Sequence, residues 1–430
     1  MAKHPRTLNI DTFAGINNVT PPHKTPPNYL KDLVNLDIDE AHNLFKRPGY
    51  DLITAGDFHS LWSDDLGCYC VQDGDLVKID ACDYSSKVIL AGQNLTHQVD
   101  FERVDDTVYF TSEEVNGRIV QGDQVIPWSV ERPPVYPMIN IIGQGLLETG
   151  SYSVAFTFEY ENGEESGSSL PGFIAVPDNS KIGANLPVPT DPLVKYINVY
   201  VSYANGTELY FNQKIEVGTA TNVEIYSALN DGRVLRTFNK YPAPKGHLVE
   251  WFAGRVYVAQ DNIIWYSDPM EYGVWDLHSN YMTFESEITM IAPVDGGLWV
   301  SDKQRTYYLQ GKEPSSFKRV EKEPSSIVRG SAVKIHGDLI SIENTPVGYK
   351  HLATSSRGIV VLYNDGLIIN LSSKNVSIPV AQHSAAALWE QDGISKYVSL
   401  LDDTQPSNNT QMSDRISGTI VRNGVVLSDD

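Results

Sequence analysis

The sequence predicts an all-β protein: a β-propeller interrupted by an inserted β-sandwich platform and preceded by an extended N-terminal arm. Three observations carry that expectation. The composition is rich in turn formers and β-formers, with 32 Gly, 24 Pro and 23 Tyr in 430 residues, and long Leu/Ala/Glu/Lys runs are scarce. Short alternating stretches are bounded by Gly, Asp or Asn turns along most of the chain. Similar strands recur at about 40 residues, the repeat length of a four-stranded propeller blade. Hydrophobic residues at 41% and charged residues at 20% suit folded domains, not a disordered chain.

Residues 1–50 read as the arm. Pro21-Pro22 and Pro26-Pro27 fix φ and remove backbone donors, which excludes regular helix. Tyr29 to Leu36 fits one short helical or extended stretch, and Arg47-Pro48-Gly49-Tyr50 turns the chain into the first blades. With little apolar content of its own, the arm is expected to be fixed by neighbouring propeller or subunit surfaces and mobile in an isolated chain.

Residues 51–140 form the first block of blades. Leu66 to Val71 leads through Asp73-Gly74 into Asp75 to Ile79, and Asp106 to Thr111 leads through Asn116-Gly117 into Arg118 to Val120. The second block, 241–400, repeats the shape. Gly254 to Val258 precedes Asn262 to Ser267, and Gly297 to Ser301 precedes Thr306 to Leu309. A further strand is expected at Gly337 to Ser341, then a hairpin of Gly358 to Tyr363 with Gly366 to Leu371. The matching strands start near 66, 106, 254, 297 and 338. A single blade cannot bury both of its faces, so several must stack around an axis.

Residues 141–240 break the repeat. Ser151 to Tyr160 and Tyr196 to Tyr203 alternate strictly and end in Asn-Gly turns at Asn162-Gly163 and Asn205-Gly206. That pattern suggests a small β-sandwich of fibronectin or immunoglobulin type, inserted between blades. Residues 401–430 read as a polar tail, whose last hairpin, Gly418 to Leu427, is a candidate to complete a blade.

The formal charge is −21, and it is unevenly spread. Residues 51–140 alone carry 16 acidic and 5 basic side chains. Tight DNA binding needs phosphates neutralised by Lys and Arg, so a body this acidic suits a surface that DNA slides past; ordinary solubility is the plainer account. Asp64, Asp65, Asp73, Asp75, Glu113 and Glu114 are the candidate acids of such a surface, which would line a lumen if DNA passes through the protein. No apolar window is long enough for a transmembrane helix, and Met1 to Arg6 has no apolar stretch behind it to make a signal peptide. Cys68, Cys70 and Cys82 form neither a disulfide framework nor a zinc spacing, so free thiols and cytoplasmic synthesis are expected.

Motifs for chemistry are missing. No Gly-x-Ser-x-Gly elbow, His-Glu-x-x-His or phosphate-binding loop occurs, so no catalytic, cofactor or metal residues are assigned and no enzyme is expected. A propeller glycosidase needs only paired carboxylates, for which Asp268, Glu271, Glu285 and Glu287 are the nearest candidates. Asp73, Asp75, Asp80 and Asp83 hint at calcium without meeting the EF-hand register. Trp251, Trp265, Trp275 and Trp299 fit core packing better than a sugar site.

The opening, Phe13-Ala14-Gly15-Ile16-Asn17-Asn18 through Asn35-Leu36-Asp37 to Lys46-Arg47-Pro48-Gly49-Tyr50, resembles that of the nozzle or hub proteins of short-tailed phages. This group is also called tail tubular protein B or DNA-stabilisation protein. A second and more specific resemblance is His247 to Tyr257 with Ile264 to Pro269, continuing as Phe284 to Val300. The resemblance implies a virion tail protein forming a ring of six copies below the portal and adaptor, with tail fibre or spike proteins as neighbours. It implies that the ring retains the packaged genome and passes double-stranded DNA without binding it specifically. Two other classes compete. A carbohydrate-binding propeller adhesin predicts sugar affinity by the isolated chain, and a hydrolase predicts turnover that dies with one carboxylate pair.

Overall fold

The computed structural model describes residues 12–39, 41–47, 49, 52–228, 232–339, 346–378, 381–391, 394–403, 417–422 and 425–429. It divides into two compact units, Gly56–Thr283 and Met1–Ala55 together with Phe284–Asp430. Among the described residues the helical pieces are two 3-10 turns, Pro314–Ser316 and Gly337–Leu339. The protein is an all-β propeller of four-stranded antiparallel meanders with an inserted sandwich.

The Gly56–Thr283 unit holds three meanders. The first is Phe58–Ser63, Cys68–Gln72, Asp75–Ile79 and Ser86–Leu90. The second is Asp100–Val104, Thr107–Thr111, Asn116–Val120 and Gln124–Ile126. The third is Leu248–Phe252, Arg255–Gln260, Ile263–Tyr266 and Tyr281–Thr283. Two of their two-residue turns have both residues at positive φ: Asp73 (52°) with Gly74 (87°), closing the register Gln72↔Asp75, and Ala253 (51°) with Gly254 (79°), closing Phe252↔Arg255. That geometry matches strand twist, which is why Asp-Gly marks the hairpin.

Between the second and third meanders lies the sandwich. Its four-stranded sheet orders Gly172–Val176, Gly150–Tyr160, Val194–Ser202 and Leu209–Glu216, and its three-stranded sheet orders Ile139–Leu147, Ser180–Asn185 and Asn222–Ile225. Val154, Phe156, Phe158, Val199 and Val201 meet Ile182, Val223 and Ile225 in one core. Each such fully buried side chain stabilises by roughly 1.5–3 kcal/mol before entropy is counted. The opposite face of Gly150–Tyr160 is buried as well, with Ala155 and Thr157 fully covered. Strict alternation in the sequence therefore separates two interiors here, not an interior from solvent.

The second unit holds three further meanders. They are Ile288–Val294, Gly297–Asp302, Thr306–Gln310 and Lys318–Glu323; then Val333–Ile335, Lys350–Ser355, Gly358–Leu362 and Ile368–Asn370. The last is Ala381–Gln391, Ile394–Asp403, Ser417–Arg422 and Val425–Asp429. Two expectations are corrected here. The strand expected at Gly337 to Ser341 is a 3-10 turn over Gly337–Leu339, with Ile340 and Ser341 outside the described residues. The matching second strand is Lys350–Ser355, displaced because the loop after Val333–Ile335 is longer than in the other meanders. The tail expected from 401 begins inside a strand, since Ile394–Asp403 pairs along its length with Ala381–Gln391.

Meanders within each unit are tied by short polar side chains that catch linker backbone. Ser60 Oγ accepts from Val99 N at 2.8 Å, Thr111 Oγ1 from Gly246 N at 2.9 Å, and Ser301 Oγ from Ile327 N at 2.9 Å. Buried backbone groups must find partners, and these hydroxyls supply them. Larger groups do the same in the second unit: Trp299 Nε1 donates to Tyr363 O at 2.9 Å and Tyr397 OH to Ser331 O at 2.7 Å.

The arm is ordered by its own chain. Gly15–Ile16 pairs in parallel with Tyr29–Leu30, and Leu36–Ile38 forms a hairpin with Leu44–Lys46. The single stretch expected over Tyr29 to Leu36 is instead two short strands joined by a bend, with Asn35 at φ 53°. Ile16, Leu33 and Ile38 are buried with Val328, Leu352, Tyr363, Val376 and Tyr397 of the same unit.

Candidate functional site

In the Gly56–Thr283 unit the first strands of the three meanders, Phe58–Ser63, Asp100–Val104 and Leu248–Phe252, run side by side. A first strand is a sheet edge, and its free N–H groups need acceptors. Asp100 Oδ2 accepts from Val249 N at 2.8 Å, and Glu102 Oε1 accepts from Trp251 N at 3.2 Å. Two carboxylates thus stand in for a neighbouring strand. Next to them Arg103 Nη1 sits 3.2 Å from Asp64 Oδ2 and 3.9 Å from Asp65.

Two apolar side chains break the acidic seam. Ser60 adopts φ 59° within a bulge between His59 and Trp62, and Leu61 beside it is 71% exposed. Trp251 is 38% exposed and its indole N–H donates to Tyr272 OH at 3.3 Å. The seam therefore presents negative charge held by fixed hydrogen bonds, with apolar contacts between. It holds no activated nucleophile. The alternation in Asp100-Phe101-Glu102-Arg103-Val104 was the available signal for these residues. Their partners lie 149 positions away in sequence, which local pattern does not reach.

The six acids singled out from the sequence are all in or beside turns, and all but Asp65 have a partner close by. Asp64 Oδ1 accepts from Leu66 N (2.7 Å) and Gly67 N (3.2 Å), while the Asp65 side chain is fully exposed. Asp73 Oδ1 accepts from Asp57 N at 3.0 Å, and Asp75 Oδ1 from Gly92 N at 2.8 Å. Glu113 and Glu114 flank His97 at 3.7 and 2.8 Å. The hydrogen bond from His97 chiefly, with those of Thr96, draws the Glu114 carboxyl down to about 2. Asp64 and Asp65 join the first-strand seam through Arg103. Asp73, Asp75, Glu113 and Glu114 belong instead to connections between second and third strands or their flanks.

The carboxylates considered for glycoside hydrolysis face cations. Lys240 Nζ lies 2.6 Å from Asp268 and 3.1 Å from Glu271. Burial raises the Asp268 carboxyl, but hydrogen bonds from Lys240 and Asn280 outweigh it and hold it below its usual value. Glu285 pairs with Arg305 and Glu287 with Lys303. A general acid needs a raised carboxyl, and that of Asp268 is held down. Trp275 and Trp299 are fully buried, while Trp265 lies 5.4 Å from the half-exposed Tyr281 ring. Among the described residues no cluster of three or more His, Cys, Asp or Glu is arranged to hold a metal ion. Cys68, Cys70 and Cys82 are free, and burial, with Cys68 adding to it, pushes the Cys70 thiol up to about 11.

The sandwich contains a polar cluster, largely buried, which the sequence pattern does not announce. Glu165 Oε1 accepts from Thr157 Oγ1, from Tyr200 OH at 2.7 Å and from Asn198 Nδ2 at 3.1 Å. Glu159 accepts from Asn198 at 2.7 Å and from Lys214 at 2.5 Å. Burial first, then Glu165, raises the Tyr200 hydroxyl. Every carboxylate there has donors, so the cluster locks the sheet's second face.

No protein-family model and no curated protein matches the chain. Among solved structures it is similar to virginiamycin B lyase from Staphylococcus aureus, with 12% identity and a TM-score of 0.32 over 80% of this chain and 91% of that one. It is also similar to the N-terminal domain of Nup159 (11% identity, TM-score 0.30, 92% and 95% covered). A third is the BBS1N chain solved in complex with ARL6DN (9% identity, TM-score 0.31, 88% and 94% covered). These are β-propeller proteins, and the likeness concerns fold alone.

No helix among the described residues is long and apolar enough to cross a membrane.

Proposed function

We propose that the protein is the nozzle, or hub, of a short-tailed bacteriophage tail: a ring of six copies beneath the portal and adaptor, meeting tail fibres or spikes. In this reading it retains the packaged genome and conducts double-stranded DNA during ejection, and it is not an enzyme. The observation that carries the reading is the order of parts: an N-terminal arm, two meanders, a sandwich, then four more meanders. That order is the one read from the residue pattern, and the stretches from Phe13 to Tyr50 and from His247 to Val300 within it resemble those of nozzle proteins. The acidic first strands add support, because carboxylates already committed to backbone N–H groups repel phosphate without trapping it.

The test is genetic and physical. Particles assembled without this protein should package DNA but lose it, and mass measurement of purified tails should count six copies. Particles that keep and deliver their genome without it would sink the proposal.

A carbohydrate-binding adhesin is the second reading, favoured by the adjoining, part-exposed rings of Trp265 and Tyr281. Oligosaccharide binding by the isolated chain that is lost in Trp265→Ala would support it; no binding would remove it.

A further inference from the structure

We infer that Val135, Tyr136, Met138, Ile141, Ile142 and Leu146 form the surface on which a second copy of this chain docks. These six side chains are between 43% and 66% exposed, within twelve residues of sequence. So many large apolar groups, close together and left in water, mark an interface and not a random surface. Ile142 lies across Gly183, whose missing side chain lets the apolar surface continue onto the neighbouring strand. The Lys181–Glu224 ion pair, at 2.9 Å, supplies a polar border.

Charge decides the occupant. Pro133 through Leu147 contains no charged residue, in a chain whose net charge is −21. Two copies repel one another over most of their surfaces, and an uncharged apolar stretch is where they can meet without that cost. A basic partner would be drawn to the acidic seam instead.

The contact is one of side chains. Ile139–Leu147 is the edge of its sheet, but bulges between Ile141 and Gly143 and between Gln144 and Leu147 interrupt its ladder. Bulges deter the addition of another strand. The apolar faces therefore pack, and the edge is not extended.

This inference stands on exposure and charge, whether or not the assembly conducts DNA. Sedimentation of the full chain over a wide concentration range should show mass rising with concentration. Met138→Glu with Ile142→Asp should weaken that association at least tenfold while leaving the β-type circular dichroism and melting temperature intact. A chain that stays monomeric at the highest concentration, or a folded double variant that associates as the parent does, overturns the inference. Should the double variant misfold, hydrogen exchange on the unaltered chain decides. Amides of 135–146 should slow on concentrating, and unchanged exchange there overturns the inference. A chain that associates through this surface yet is absent from purified tails would remove the nozzle proposal and leave the interface.

Discussion

Lys396 Nζ lies 2.7 Å from Asp37 Oδ2, with both side chains less than a tenth exposed, joining the arm to the last meander. A buried ion pair adds little net stability, but removing one partner strands a charge and costs roughly 3–5 kcal/mol. Lys396→Met should therefore destabilise this unit strongly, and the double variant Asp37→Leu/Lys396→Met should recover much of the loss. Denaturant unfolding checks the sum. Hydrogen exchange over residues 13–47 should be slow even in a verified monomer, because Ile16, Leu33 and Ile38 are buried by the same chain.

His351 should make stability fall in mild acid. Burial chiefly, with Lys334 adding, holds its imidazole down at about 4 against an ordinary 6.5, despite the hydrogen bond between Nε2 and Pro293 O. Its Nδ1 is buried without a partner. A depressed histidine stabilises fully above its unfolded value, and that stability drains as pH drops from 6.5 toward 4. The loss is on the order of 3 kcal/mol at most. Unfolding free energies at pH 7 and pH 4.5 should diverge less in His351→Leu than in the parent. Identical pH dependence in both would refute the assignment.

Gly366 should not accept a side chain. Its φ is +84°, and an added Cβ would sit 2.4 Å from Tyr308 Cδ1. Tyr308 itself is fixed by its hydroxyl donating to Asn364 O at 2.6 Å. Gly366→Ala should cost about 2–4 kcal/mol from left-handed strain and overpacking together. Tyr308→Leu should make the second change cheaper, a coupling that a double-mutant cycle measures.

The sandwich should survive excision better than what it leaves behind. Arg118, mostly buried on the second meander, pairs with Glu164 through both guanidinium nitrogens, and Arg132 Nε donates to Ser168 O at 2.5 Å. Deleting 145–238 behind a short Gly/Ser linker removes both partners. The remnant should be markedly less stable, and Arg118→Met within it should raise its melting temperature. A remnant that gains nothing from that change would show Arg118 already rehydrated.

Much of this fold was legible because hairpin turns announce themselves. Asp73-Gly74 forms such a turn with both residues left-handed, whereas Asn116-Gly117, expected as a turn, opens the strand Asn116–Val120 with Phe110 over Gly117, and the turn lies at 112–115. The second strands at Thr107, Arg255 and Gly297 follow from such punctuation. Gly337 misled for the same reason: it looks like a strand opener but packs against Gly348 in a 3-10 turn. The seam of Asp100 and Glu102 was hidden because first strands lie beside other first strands far away in sequence. The acids chosen from charge density alone fell on turns, where polar residues concentrate for local reasons.

Charge reversal along the seam bears most directly on function. Asp65 is fully exposed and Glu113 lies on an exposed turn, so Lys at these two positions should change stability by less than about 0.5 kcal/mol. Asp73→Lys, by contrast, also removes the acceptor for Asp57 N at a left-handed position and should cost roughly 1–2 kcal/mol. Asp100→Asn and Glu102→Gln remove charge-assisted acceptors from Val249 and Trp251 and should cost roughly 1–2 kcal/mol each. If DNA slides over the seam, reversing charge there slows it, because phosphates then find cations to bind. Particles carrying Asp64→Lys and Asp65→Lys, beside Arg103, should assemble normally yet eject slowly at low salt and recover as salt rises. Particles carrying Asp73→Lys and Glu113→Lys, away from the first strands, should eject at the parental rate. Equal slowing by both pairs would place DNA on the turns instead, and no slowing by either would remove the sliding surface altogether.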